Sequence, residues 1–160
     1  MTWIQTEIVK RYQFELFEGK GVLHGIFTRN GGVSPSPWNS LNLGGLNGDT
    51  RDNVIENRRR IFQDMGRKVE SIYDAWQVHG TEVICTSSPR PLTAPHHKAD
   101  AILTDHPDVS LFMRFADCVP IFFYDPIRKV VGVAHAGWQG TVKKIALITT
   151  QTMSERYGCN

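Results

Sequence analysis

Apolar and polar positions change rhythm along the chain, and each change predicts an element. The opening stretch, MTWIQTEIVKRYQF, alternates polar and apolar residues, as an amphipathic strand does. Gly21–Thr28 (GVLHGIFT) reads as a short strand. Periodicity then stops. RNGGVSPSPWNSLNLGGLNGD (Arg29–Asp49) is dense in Gly, Pro, Ser and Asn. At about twenty residues it is long for a connection, which predicts a mobile or functional loop. From Asp49 to Met65 the period becomes helical. Asp49 is placed to cap, Asp52 follows three residues on, and Val54, Ile61, Phe62 and Met65 supply an apolar face before Gly66.

Ser71–Thr86 (SIYDAWQVHGTEVICT) predicts two strands joined at a tight turn around His79-Gly80, with the glycine supplying the permissive backbone. SSPRPLTAPHHK is a loop. Three apolar runs follow, Ala101–Leu103, Val109–Phe115 and Val119–Tyr124. DPIRK then turns the chain into a further strand at Val130–Ala134. HAGWQGT leads into a second helix, Val142–Tyr157, with Val142, Ile145, Ala146, Thr149 and Met153 at helical spacing and Gly158 as the stop. Strands in the middle with a helix on each side predict an α/β (α+β) class, mixed β-sheet layers flanked by helices, and no regular βαβ alternation.

Composition narrows the class without changing this outline. A chain of 160 residues favours one domain, 1–160, with room for a core. With 41% hydrophobic and 21% charged residues, neither disorder nor a fibrous class is indicated. The net charge of +2 is too small to point to nucleic acid, and the run Arg58-Arg59-Arg60 reads as a solvated helix face. No apolar run has the length of a membrane span, and the N-terminus has no signal-peptide core. Three cysteines (Cys85, Cys118, Cys159) are too few for a disulfide scaffold, which points to a reducing cytoplasm.

Three segments place a metal-ligand residue at a strand end beside glycine or a carboxylate: WQVHGTEV with His79, FADCVPI with Cys118, and VAHAGWQGT with His135. Each has a plain alternative. His79 reads equally as a turn histidine satisfied by backbone groups, Cys118 as an inert buried thiol, and His135 as a helix cap. The spacings, 39 and then 17 residues, match no zinc-finger or HExxH signature. The combination says more. Two histidines and one cysteine are a complete three-ligand set for Zn²⁺ with a fourth position left for water or substrate, the composition of a catalytic site. Asp117, just before Cys118, then reads as an orienting or proton-carrying acid, and otherwise as a surface strand-end carboxylate.

QVHG, ADCVPI…DP and HAGWQGT, in that order, resemble the signature blocks of the YfiH/YlmD family. This is the laccase-domain or multicopper polyphenol oxidoreductase family, which includes mammalian FAMIN. TRNGGVSPSPWNSLNLG, DNVIENRRR and KADAILTD resemble it too, so the likeness covers the chain from Gly25 onward. The resemblance implies a cytoplasmic metalloprotein with zinc ligands at His79, Cys118 and His135. It implies a fold akin to the catalytic domain of cytotoxic necrotizing factor. The implied activity is a purine nucleoside phosphorylase acting on adenosine, inosine and methylthioadenosine, with adenosine deaminase activity; the older name implies copper-dependent phenol oxidation. The implied partners are purine nucleosides and phosphate; the small net charge and the lack of a long apolar run add the expectation of no nucleic acid and no membrane.

Two departures stand out. Gln139 occupies the place where the family's block continues with arginine. The chain also ends at YGCN, before the family's further strands, which predicts that a C-terminal part is lacking and that an apolar face or open strand edge lies near Cys159. Deamination needs a proton-shuttling acid, for which Asp117 or Glu82 is a candidate. Phosphorolysis needs an anion site, for which Arg29 and the adjacent GG amides are candidates, although Arg29 reads as readily as a solvated loop arginine. Multicopper oxidation ranks last: His24, His96, His97 and His106 are left over, in no H-x-H pair. A different class is a cysteine hydrolase with Cys118 as nucleophile and His135 as base, and a third is a non-catalytic metal-binding module.

Overall fold

The computed structural model describes residues 2–45 and 47–160, in two units that divide between Val69 and Glu70. Met1, at the start of the alternating stretch, and Leu46, in the long loop, lie outside the described residues.

In the first unit the alternating N-terminus folds as a hairpin of β1 (Thr2–Gln5) and β2 (Lys10–Gln13). Trp3 pairs across it with Tyr12, edge to face at 4.2 Å, and the Lys10 ammonium lies 4.6 Å from the centre of the Trp3 ring. The predicted strand Gly21–Thr28 shrinks to β3 (Ile26–Phe27), which pairs antiparallel with β2. Glycine and histidine precede it, and only its apolar end reaches the ladder.

Helix α1 runs Arg51–Asp64. Its cap is Thr50, whose hydroxyl accepts the Asn53 amide, and not Asp49 as the sequence suggested. Asp49 instead gathers the long loop: its carboxylate accepts from Ser34 Oγ at 2.6 Å, Asn42 Nδ2 at 2.9 Å, Asn53 Nδ2 at 2.9 Å and the Thr50 amide at 2.8 Å. Asn57, fully buried on the apolar face of α1, completes the tie. It accepts from the Val33 amide and donates to Ser34 Oγ and the Asn42 carbonyl, each at 2.8 Å. A loop without periodicity is thus held by side chains that supply the bonds a ladder would. At the far end of α1, Asp64 takes Thr6 Oγ1 and the Arg11 guanidinium, both at 2.7 Å.

The second unit carries the larger sheet. Its strands are β4 (Ile72–Asp74), β5 (Val83–Cys85), β6 (Ala101–Thr104), β7 (Ser110–Phe112), β8 (Val119–Asp125) and β9 (Val130–Ala136). The hairpin expected around His79-Gly80 does not form. β4 pairs in parallel with β7, while β5 pairs in parallel with β6 in a separate sheet of order β5-β6-β9-β8. The reason lies in partners far along the chain: β6, buried at every position, offers β5 a more apolar neighbour than β4 could. Ala101, Ile102 and Leu103 are fully buried, and burying an Ile or Leu contributes about 1.5–3 kcal/mol.

The helix predicted over Val142–Tyr157 starts three residues later as α3 (Ile145–Tyr157), after a short unpredicted α2 (Trp138–Val142), and Lys144 turns left-handed between them. Gly158 ends α3 in the left-handed region, as expected. β9 is buried along its length, but β8 is an edge strand, half-buried, and pairs with β9 alone among the described residues. Cover on both faces therefore holds for β9 and not for β8. Cys159 itself is buried. No helix among the described residues is long and apolar enough to cross a membrane.

The charges of the first unit set an acid limit. Burial raises the Asp49 carboxyl, but its four hydrogen bonds outweigh this and lower it from 3.8 to about 2. Arg59 and Arg60 lower Glu56 from 4.5 to about 2. Both folded values lie below the unfolded ones, so the unfolded chain binds more protons in this range. The stabilisation is complete above about pH 5 and is lost as pH falls toward 2. Circular dichroism during acid titration is expected to show the first unit unfolding over that interval, and Asp49→Asn should flatten the dependence. An unchanged acid profile in that variant would refute the role of Asp49.

Candidate metal centre

His79 lies in the turn before β5, Cys118 immediately before β8, and His135 within β9. The pairing register brings them together. His135 stands opposite Pro120 on β8, two residues from Cys118, and the β6–β9 ladder pairs Ala134 with Ala101. One candidate ligand atom from each of the three residues lies within 4.8 Å of the others, with Cys118 Sγ 3.9 Å from His79 Nε2. The imidazole rings of His79 and His135 are 4.8 Å apart at 70°, and Phe115 leans on His135 at 5.7 Å. His135 is buried, Cys118 half-buried and His79 exposed, so the group opens to solvent on one side.

One residue organises it, and sequence reasoning missed it. Asp100, fully buried just before β6, accepts from His135 Nδ1 at 2.8 Å and from three successive amides, Val78 at 3.1 Å, His79 at 3.0 Å and Gly80 at 2.7 Å. Its own carbonyl takes the His135 amide at 2.7 Å. Burial pushes the Asp100 carboxyl up, but the His135 bond and the three amides outweigh it and hold it below the ordinary value. The residue that needs the permissive backbone is His79 itself, at φ 59°, and not Gly80. A left-handed non-glycine residue costs about 1–2 kcal/mol, which the convergence of three amides on one carboxylate offsets. The signal available in the sequence was a lone acid ahead of a wholly apolar run, in KADAILTD.

Gln77 forms a second tie. Its side-chain amide donates to the Arg114 carbonyl at 2.7 Å and accepts the Arg114 amide at 3.0 Å, joining the His79 segment to the segment that leads to Cys118. Asp117 is exposed and accepts from Cys118 Sγ at 3.6 Å. Glu82 is exposed, and its backbone carbonyl takes the Asp100 and Ala101 amides. Arg29 belongs to the first unit, where it is exposed and donates Nε to the Asn39 carbonyl at 2.7 Å. His135 sits in β9 and caps no helix; Gly137 stands at the start of α2.

The donor set fits a tetrahedral ion. Ligand atoms bonded to zinc lie about 3.5 Å from one another, so the three here need to close by about 1 Å. Asp100 occupies His135 Nδ1, which leaves Nε2 for a metal. Gly137 leaves the space. A Cβ there would stand 2.7 Å from His79 Cδ2 and 3.1 Å from Cys118 Sγ. Among the described residues this is the one group of three or more His, Cys, Asp and Glu side chains so placed. Burial raises the Cys118 thiol, and Asp117 and Asp100 raise it further.

Comparison with known proteins places the chain. Residues 23–160 match the family described as multi-copper polyphenol oxidoreductase laccase. The chain belongs to that family. It is 42% identical, over 147 residues, to purine nucleoside phosphorylase YlmD of Bacillus subtilis (strain 168), covering 88% of this chain and 53% of that protein. It is 38% identical to purine nucleoside phosphorylase LACC1 of Mus musculus, over 86% of this chain and 32% of that protein. The crystal structure of YlmD from Geobacillus stearothermophilus superposes with a TM-score of 0.86 at 34% identity, over 96% of this chain and 59% of the other. That of the Bacillus licheniformis hypothetical protein YfiH gives 0.81 at 36%, over 85% and 53%. The fold is that of the YfiH and YlmD proteins. The chain spans about half the length of the bacterial relatives it matches.

Gly137→Ala should force His79 and Cys118 apart while leaving the sheet intact. Equilibrium dialysis against Zn²⁺ is expected to show uptake falling at least tenfold with little change in melting temperature. Undiminished uptake would show that the space at Gly137 has no bearing on the group.

Proposed function

We propose that this chain carries the metal centre of a zinc-dependent purine nucleoside phosphorylase acting on adenosine, inosine and methylthioadenosine, with adenosine deaminase activity. The observation that carries the reading is the convergence of His79, Cys118 and His135 on one point with His79 exposed. The relatives named purine nucleoside phosphorylase support the reaction class. When bound, the ion supplies Lewis acidity, which polarises an oxygen or lowers the pKa of a water to about 7.

The chain's own groups do the rest. His79, Cys118 and His135 hold the ion. Asp117 is our choice for the acid that moves a proton between solvent and substrate, supported by its exposure beside Cys118, with Glu82 the alternative. Arg29, taken within the first unit alone, has guanidinium N–H groups beyond the one given to Asn39 and is proposed as an anion-binding residue. Asp100 has no such freedom, since its carboxylate already accepts four N–H bonds.

One observation favours a second reading. Cys118, His135 and Asp100 also stand in the order thiol, imidazole and carboxylate that a cysteine hydrolase uses. A bound metal separates the two, because an ion that occupies the thiolate removes the nucleophile. Two histidines and a cysteine also suit copper, so the metal itself must be identified.

Metal analysis of the purified chain is expected to find about one zinc per molecule. A nucleoside panel should then release free base only when phosphate is present, with ammonia released from adenosine. Cys118→Ser should lose most of the metal and the turnover while keeping its melting transition. A metal-free protein whose activity is abolished by thiol alkylation would replace this reading with the hydrolase.

A further inference from the structure

We infer that Asp100 is the positioning residue of the centre: its carboxylate sets which ring nitrogen of His135 and which backbone conformation of His79 face the ion. This rests on the metal-centre reading above and deepens it. Oδ1 accepts the His79 amide at 3.0 Å and His135 Nδ1 at 2.8 Å, while Oδ2 accepts the Val78 amide at 3.1 Å and the Gly80 amide at 2.7 Å. A carboxylate offers about four lone-pair sites, and all are taken. The group is also fully buried. It has no solvent contact and acts through the histidines.

Two functions meet on its two oxygens. The bond to His135 keeps the proton on Nδ1 and the lone pair on Nε2, which is the tautomer a metal needs. The three amides converge on the carboxylate only if the chain turns left-handed at His79, and that turn carries the exposed ligand. One side chain therefore couples the buried ligand to the exposed one, though they are far apart in sequence. Asparagine is not a conservative replacement. It keeps one oxygen but turns an NH₂ toward a pair of N–H donors, so either the His135 bond or the turn must break.

The test is Asp100→Asn in the full 160-residue chain, with Zn²⁺ affinity measured by chelator competition and the visible spectrum of the Co²⁺ form recorded. Zn²⁺ binding is expected to weaken ten- to hundredfold, and the tetrahedral Co²⁺ bands and the thiolate charge-transfer band should shift or fade, while melting remains cooperative. Wild-type affinity and an unchanged Co²⁺ spectrum in the variant would overturn the positioning role and leave the metal centre standing. A wild-type chain that binds neither ion would instead sink the metal reading, and this inference with it. If Asp100→Asn fails to fold, nitrogen-15 NMR of the metal-free wild type decides. His135 should carry its proton on Nδ1, and a proton on Nε2 would overturn the inference.

Discussion

The second unit is organised around one buried carboxylate. Asp100 gathers three amides from the turn before β5 and the imidazole of β9, and its backbone continues the ladders on both sides of β6. A carboxylate with no solvent contact is costly unless every lone pair is met, and here each is. That full set of donors gives the arrangement its specificity. Removing the charge would orphan the donors on one oxygen, and with them either the turn or the His135 bond.

Two acids stand one or two residues ahead of an apolar strand, and they take opposite roles. Asp117 precedes β8, an edge strand, and is exposed. Asp100 precedes β6, which is buried throughout and paired on both sides, and it is drawn under cover with its strand. The residue types alone are the same, Ala-Asp before a hydrophobic run. What separates them is the place of the strand in the sheet, which depends on partners more than thirty residues away. His79, Cys118 and His135 were legible because ligand chemistry and the family's blocks coincide on them. The carboxylate that aligns them was not, since its local signal, an acid ahead of an apolar run, is shared with Asp117.

The same division runs through the fold. Strand and helix positions followed from hydrophobic period and stop signals, as at Val119–Tyr124 and Gly158. Pairing did not. The tight turn read at His79-Gly80 assumed that neighbouring strands pair, whereas β4 and β5 each take a parallel partner. Side-chain networks were equally hidden. Asn57, which the reading of the helical face passed over, is the anchor of the long loop. In the second unit Asp74 meets Arg90 at 2.7 Å and His96 at 2.9 Å, which ties the proline-rich loop to β4 and engages one of the leftover histidines.

Long spacing between the three candidate ligands has a physical consequence. A local motif such as two histidines one helical turn apart keeps its geometry in any short helix. Here no two of the residues approach until β6, β9 and β8 have paired in register. Side chains alternate between faces along a strand, so a slip of one residue in β9 would carry His135 to the opposite side of the sheet and away from Asp100. The fully buried Ala101, Ile102, Leu103 and Ala134 oppose such a slip, because it would exchange their buried contacts for others. Core packing and site assembly are therefore the same event. An ion bound at this group would stabilise the registered sheet over any alternative, since only that register presents all three ligand atoms together.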